Sequence, residues 1–255
     1  MLEARQLTKY YGAVLAVSDI SFHVRPGEIL GCLGPNGSGK STTVKMLTGL
    51  LEPTHGEVFF AGAGIKEDLP GYKRRLGYVP EEPNLYPYLS GIEYLELVGT
   101  LRGIPRNALE KKIDALLELF GLHGQRHSVL GSYSKGMRQK ILIIAALLHD
   151  PEVLVFDEPL SGLDVTSALV FRNLMETLAR AGKTILYCSH VLEVVEKICS
   201  RVVIVYRGQV IAHDSIEQLR QIMALPSLEQ VFGELVQQLD AEQAARDIAE
   251  AMKMK

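Results

Sequence analysis

Gly34-Pro35-Asn36-Gly37-Ser38-Gly39-Lys40-Ser41-Thr42 follows the apolar run Ile29-Leu30-Gly31-Cys32-Leu33 and precedes a stretch of helical character, Val44 to Leu51. The flanks decide the reading. A buried strand that turns through glycines into a helix start aims several backbone N–H groups at one point, where the helix dipole adds partial positive charge. Such a nest fits a triphosphate. The Gly-x4-Gly-Lys-Ser pattern arises by chance in about one chain in a hundred of this length, and with strand before and helix after, a plain glycine-rich turn is the poorer reading. Lys40 is placed to set its ammonium against the outer phosphates. Ser41 is placed to offer its hydroxyl to Mg²⁺, an ion that keeps most of its ligands as water and phosphate oxygens.

Working upstream, Ile20, Phe22 and Val24 alternate onto one face before the turn at Pro26-Gly27, which predicts a small strand-rich layer ahead of the loop. Downstream, Pro53 to Gly56 is a turn signal, and Glu57 to Phe60 and Leu76 to Val79 read as strands. From about Tyr88 to Leu148 the pattern turns helical. Ala108, Leu109, Ile113, Leu116, Leu117 and Phe120 fall at helical spacing up to Gly121, and Lys135 to Leu148 forms a second long helix. Strand and helix then alternate: Val153 to Phe156, Ser167 to Ala181, Thr184 to Cys188, Leu192 to Cys199 and Val202 to Tyr206. That alternation predicts a parallel α/β sheet. Beyond Pro226, a capping box at Ser227 and Gln230 opens a stripe of Leu228, Val231, Phe232, Leu235, Val236 and Leu239, followed by an Ala-rich stretch from Ala241 to Met252. Periodicity does not decide whether this tail docks on its own core, on a second copy or on another subunit.

Asp157 and Glu158 end the strand that begins at Val153, and open α/β sheets bind ligands at that edge. Asp157 is placed to hold the metal, through water, and Glu158 to polarise an attacking water. An acidic strand end has no such meaning alone; beside a phosphate loop it does. His190 follows the strand Thr184 to Cys188 and so stands at the same edge, where an imidazole can contact the γ-phosphate and hold the water in line. The six other histidines, His23, His55, His123, His127, His149 and His213, read as surface or turn residues.

The 255 residues are 47% hydrophobic, with 27 Lys and Arg against 30 Asp and Glu for a net charge of -3. The chain can bury a substantial core, and nothing in its charge suggests a nucleic-acid partner. Cys32, Cys188 and Cys199 lack metal-ligand spacing and read as reduced thiols. The longest apolar run, Ile141 to Leu148, is far short of the ~20 residues of a membrane span, and the N-terminus lacks signal-peptide design. A soluble chain is expected, with any membrane role exercised through a partner.

Between phosphate loop and carboxylates lies Ser132-Tyr133-Ser134-Lys135-Gly136-Met137-Arg138-Gln139-Lys140. The order of phosphate loop, helical insertion, this segment, the carboxylate pair, Ser161-Gly162-Leu163-Asp164 and Ser189-His190 resembles the ATP-binding subunits of ABC transporters over about residues 2 to 220. The resemblance implies a P-loop NTPase core with a mainly parallel sheet, an N-terminal antiparallel β layer and an inserted α-helical subdomain. It places the ATPase domain at 1–220, the insertion at about 82–150 and a helical extension at 221–255. It also implies ATP and Mg²⁺ as ligands, a second ATPase protomer bound head to tail, and a transmembrane permease subunit, with this chain cytoplasmic and peripheral on the cytoplasmic face of the membrane.

Residue by residue, Tyr133 to Met137 would be the signature motif facing the partner's ATP. Ser134 suits an N-cap and Gly136 lets a backbone N–H approach a γ-phosphate. Tyr133, Lys135 and Met137 depart from the usual Leu-Ser-Gly-Gly-Gln. Tyr11, directly before Gly12, would stack on adenine. Asp164 would sense the opposite site, although a helix N-cap explains it equally well. Where the family carries a glutamine after Pro80, this chain has Glu81, an anion that binds Mg²⁺ more strongly but is repelled by the γ-phosphate. Pro83 to Leu89 would border the groove that receives a permease helix.

The form of the signature, Glu81 and the segment Ser227 to Phe232 look similar to exporters of drugs, sodium or lipid and polysaccharide conjugates. The alternative is a soluble ATP-dependent clamp on ribosomes or DNA. Such proteins usually carry two cores or a long coiled-coil insertion, and this chain has neither. A guanine-nucleotide switch lacks its Asn-Lys-x-Asp segment here.

Overall fold

The computed structural model describes residues 1–236 and Met252. In chain order its elements are β1 (Leu2–Tyr11), β2 (Val14–Val24), β3 (Ile29–Leu33), α1 (Lys40–Leu47), β4 (His55–Phe60), β5 (Ala63–Gly64), α2 (Leu69–Arg74) and β6 (Leu76–Val79). There follow α3 (Gly91–Leu101), α4 (Arg106–Leu119), α5 (Lys135–Leu147), β7 (Val153–Asp157), α6 (Val165–Arg180), β8 (Thr184–Cys188), α7 (Leu192–Ile198), β9 (Arg201–Tyr206), β10 (Gln209–Ser215) and α8 (Ile216–Met223). Residues 228–236 are helical as well.

Two sheets result. An antiparallel sheet runs β2-β1-β4-β5, and a six-stranded sheet runs β10-β9-β3-β8-β7-β6. In the second, β9, β3, β8, β7 and β6 are parallel and only β10 is antiparallel. The mainly parallel α/β core, the antiparallel layer and the inserted helices are therefore all present. Every residue of β3, β7 and β8 is buried, because a parallel sheet is covered on both faces. Successive side chains go to opposite sides. Val153 and Val155 enter a core shared with the antiparallel sheet and α1, whereas Leu154 and Phe156 enter a core closed by α5, α6, α7 and α8. Phe156 meets Phe171 of α6 edge to face, centroids 5.1 Å apart.

A third core joins α3, α4 and α5 through Leu95, Leu109, Ile113, Leu117, Ile141 and Ile144. Helix α5 serves two cores, since Leu142, Ile143 and Ala146 face the sheet. That shared helix ties the insertion to the edge of the sheet that carries the site.

Several boundaries differ from expectation. Helix α1 stops at Leu47 because Gly49, at φ 64°, turns the chain. The turn signal at Pro53 to Gly56 runs into β4. Gly56 has φ 81°, and a Cβ there would lie 2.2 Å from the Gln6 carbonyl oxygen, so only glycine fits this irregular pairing with β1. Helix α8 runs across residue 220, where the ATPase domain was expected to end. The tail docks on its own chain: Leu228 and Val231 are fully buried and Phe232 and Leu235 half-buried against the sheet's helical side, with the Ser227 hydroxyl accepting from the Gln230 N–H at 3.3 Å. Leu239 and the Ala-rich stretch lie outside the described residues, Met252 excepted. Cys32, Cys188 and Cys199 are buried and free, and among the described residues no helix is long and apolar enough to cross a membrane.

Candidate active site

The turn from β3 into α1 is built for a ligand rather than for itself. Gly39 occupies the N-cap with φ 105° and no side chain caps the helix, so the orphan N–H groups of the first turn point outward. A Cβ on Gly39 would crowd the Ala16 carbonyl and Val17 at 3.1 Å, and one on Gly34 would lie 2.2 Å from the Val205 carbonyl. Ser38 Oγ is buried with no hydrogen-bond partner in the described structure. Lys40, 8% exposed, donates to the carbonyls of Gly34 at 2.6 Å and Pro35 at 3.0 Å. A buried ammonium held by two carbonyls beside uncapped amides fits an oligophosphate that replaces those neutral acceptors with charged ones.

A cleft of about 470 Å³ opens above this turn. It brings together Asn36, Gly37, Gly39, Lys40, Ser41 and Thr42 of the loop with Asp157 and Glu158 from the end of β7 and Glu81 from beyond β6. Val14, Leu15, Ala16, Arg207 and Gly208 complete it. The last two make the turn between β9 and β10, pinned to the loop by the Gly208 N–H on the Ser38 carbonyl at 2.8 Å. Sequence reading missed them; the signal was there in an Arg-Gly turn directly after an apolar strand.

Asp157 is only 4% exposed, and burial, reinforced by Glu81 and Glu158, pushes its carboxyl up to about 6 against the pull of Lys40. A site that strains a carboxylate in this way fits a cation. Mg²⁺ takes few protein ligands and several phosphate and water oxygens. Ser41, Asp157 and Glu81 all line the cleft and would hold it.

Glu158 lies one residue further, at φ 49°, and its carboxylate is gripped from β8. The Ser189 hydroxyl donates to Oε2 at 3.0 Å and the His190 N–H to Oε1 at 2.8 Å, while the His190 ring Nδ1 lies 2.7 Å from Oε1. A second cleft of about 440 Å³ begins on this side, lined by His190, Ser189, Glu158, Glu81, Ser161 and Lys135 among others. Glu158 and Glu81 thus face both spaces.

The remaining predicted residues stand elsewhere. Tyr11 ends β1 half-exposed and does not line the cleft; its ring has the Lys9 ammonium 5.8 Å from its centroid. Ser134 caps α5 by accepting the Met137 N–H at 3.2 Å. Gly136 abuts the next loop so closely that a Cβ would come 2.4 Å from the Gly162 carbonyl oxygen. Asp164 caps α6, accepting from the Ser167 N–H at 2.8 Å and hydroxyl at 2.6 Å. Pro35 and Gly34 contribute carbonyls to Lys40 rather than surface to the cleft. Two histidines read as surface residues are half-buried: burial lowers His149 to about 4 and His213 below its ordinary value.

Comparison with known proteins agrees with this geometry. Residues 17–161 match the family model described as ABC transporter. The chain is 37% identical over 220 residues to the ABC transporter ATP-binding protein NatA of Bacillus subtilis (strain 168), covering 86% of this chain and 89% of that protein. It is 36% identical over 221 residues to the Nod factor export ATP-binding protein I of Cupriavidus pinatubonensis (strain JMP 134 / LMG 1197), covering 85% and 68%. A solved ATP-binding subunit of an ABC transporter superposes with a TM-score of 0.87 at 33% identity, over 92% of this chain and 99% of that one. The dimeric, post-hydrolysis ATP-binding cassette MJ0796 bound to ADP and Pi superposes with a TM-score of 0.77 at 25% identity, over 84% and 98%. Sheet, phosphate turn and carboxylate pair meet in one cleft, and with these likenesses the chain belongs to the ABC transporter family as an ATP-binding subunit, an ATPase.

Proposed function

We propose that two copies of the nucleotide-binding fold, this chain and an identical or related protomer, close head to tail around two Mg-ATP on the cytoplasmic face of the membrane and drive export through a separate transmembrane permease. The observation that carries this reading is the position of Glu158, fixed at the end of β7 between the phosphate turn and a second open cleft. Water placed there loses a proton to the Glu158 carboxylate as its oxygen bonds to the γ-phosphorus. The bond from phosphorus to the bridging oxygen breaks, and ADP leaves with that electron pair. Mg²⁺, when bound, neutralises charge developing on the phosphate oxygens. Lys40 binds the outer phosphates, Asp157, Ser41 and Glu81 hold the ion, and His190 lines the side from which the water comes.

Ser134 and Gly136 support the dimer. Gly136 sits against the loop that ends at Asp164, Ser134 is exposed at the start of α5, and neither lines its own chain's phosphate cleft, which leaves both available to another protomer's nucleotide. Tyr11 is exposed at the end of β1 and would stack on adenine through its ring face. The domain reading is 1–220 for the ATPase domain with 82–150 inserted, and 221–255 for an extension whose part up to residue 236 lies back on the core.

The permease reading is supported by a groove of about 370 Å³ between core and insertion, lined by Leu50, Lys73, Arg74, Leu101 and Arg102 among others. Leu50 and Leu101 are 60% and 78% exposed. No residue from Pro83 to Leu89, the segment expected to border such a groove, lines this one, although Tyr86 and Tyr88 are exposed. Export follows the Nod factor relative and the Glu81 and signature departures. Purification of Glu158→Gln from its native membranes in Mg-ATP tests it: a stoichiometric polytopic membrane protein is expected, and recovery of ribosomal or DNA-maintenance proteins alone would overturn it.

A further inference from the structure

We propose that Ser189 is a positioning residue for ATP hydrolysis, acting through Glu158; the inference rests on Glu158 being the base that takes the proton of water. Ser189 is 3% exposed. Its oxygen accepts the Val191 N–H at 3.1 Å, the Tyr187 side chain hydrogen-bonds it as well, and its hydroxyl donates to the Glu158 carboxylate at Oε2, 3.0 Å away, the charged and so the stronger acceptor.

The carboxylate needs this hold. Glu158 is in the left-handed region, disfavoured for a residue with a Cβ, and its backbone is fixed there by its N–H on the Cys188 carbonyl at 3.0 Å and by its own carbonyl accepting from Ser161 at 3.1 Å. The backbone does not fix the carboxylate plane. His190 contacts Oε1 alone, through its N–H and its ring, so the group would pivot about that one oxygen. Ser189 on Oε2 supplies the second point. A carboxylate offers about four lone-pair sites, and three partners from residues 189 and 190 leave one for water. Removing the hydroxyl frees a competing acceptor and lets the base swing, and misplacement of a catalytic group lowers the rate without weakening ground-state binding.

Steady-state ATPase kinetics and nucleotide affinity of the full chain carrying Ser189→Ala, Ser189→Thr and Glu158→Gln test this. Ser189→Ala is expected to lower kcat about tenfold or more while KM and the Kd for ATP stay within about twofold, and Ser189→Thr, which keeps the hydroxyl, restores turnover. In the Glu158→Gln background, Ser189→Ala adds no further loss. The proposal is overturned if Ser189→Ala turns over like the parent, if it loses ATP affinity together with turnover, if Thr fails to restore the rate, or if the loss persists undiminished without Glu158. Failure of the underlying reading is distinguishable: Glu158→Gln itself would then hydrolyse ATP at the parental rate.

Discussion

His149 shows how one side chain makes stability depend on pH. Its Nε2 donates to the Leu76 carbonyl at 3.0 Å, and its Nδ1 is buried with no partner in the described structure. Protonation would place a charge on that nitrogen beside Arg102, so burial and Arg102 hold the folded-state value at about 4 against an ordinary 6.5. Between these values the unfolded chain binds more protons than the folded one. The stabilisation is therefore fully present above pH 6.5 and is lost as pH falls toward 4. Thermal melts across this window are expected to show a steeper acid loss for the parent than for His149→Gln; parallel curves would contradict the assignment. This histidine was misread from the sequence because His149-Asp150-Pro151 has the composition of a surface turn, and only the fold puts the Leu76 strand beside it. His190 was legible because a strand end fixes its position independently of burial. Arg207 was missed although its Arg-Gly turn was visible, because a turn in the sequence does not reveal that its hairpin is pinned to the phosphate turn through the Gly208 N–H on the Ser38 carbonyl.

At the scale of elements, the parallel strands were readable to within one residue, since a strand covered on both faces must be apolar throughout. Helix α3 falls inside the stretch from about Tyr88 read as helical but was given no bounds of its own, although Ser90 and Glu93 form a full capping box; exposed Leu97 and Leu101 beside buried Leu95 blur its period. The contact of α5 with the loop before α6 was invisible to periodicity. Gly136→Ala would force the Gly162 carbonyl away from the start of α5. Its expected result is loss of ATP-driven dimerisation and turnover, with nucleotide affinity of the single chain within about twofold of the parent. Retention of ATP-driven dimers would show that this contact does not set the signature geometry. The tail gives a second check. Leu228 is fully buried against the chain's own core, and Leu228→Ala should lower unfolding free energy by about 2–5 kcal/mol in urea titrations of the isolated chain. No change there would mean that residues 228–236 find their place only on a partner.

For the whole molecule, one sheet edge gathers the ends of β3, β6, β7 and β8, and everything the chemistry needs from one chain arrives at that edge. This much followed from the order of motifs along the sequence. The resemblance also led us to expect the signature segment to serve a partner's site; what did not follow is how it is held, with Ser134 and Gly136 outside the lining of the cleft that carries Lys40, Asp157 and Glu158 and with Gly136 pressed on the Gly162 carbonyl. On the proposed reading, binding of ATP would favour the closed pair and hydrolysis would permit reopening. Light scattering coupled to size exclusion of Glu158→Gln in saturating Mg-ATP tests this most directly. The account predicts a species of twice the chain mass that reverts to the single-chain mass when ATP is exchanged for ADP; a variant that binds ATP and stays at the single-chain mass would contradict it.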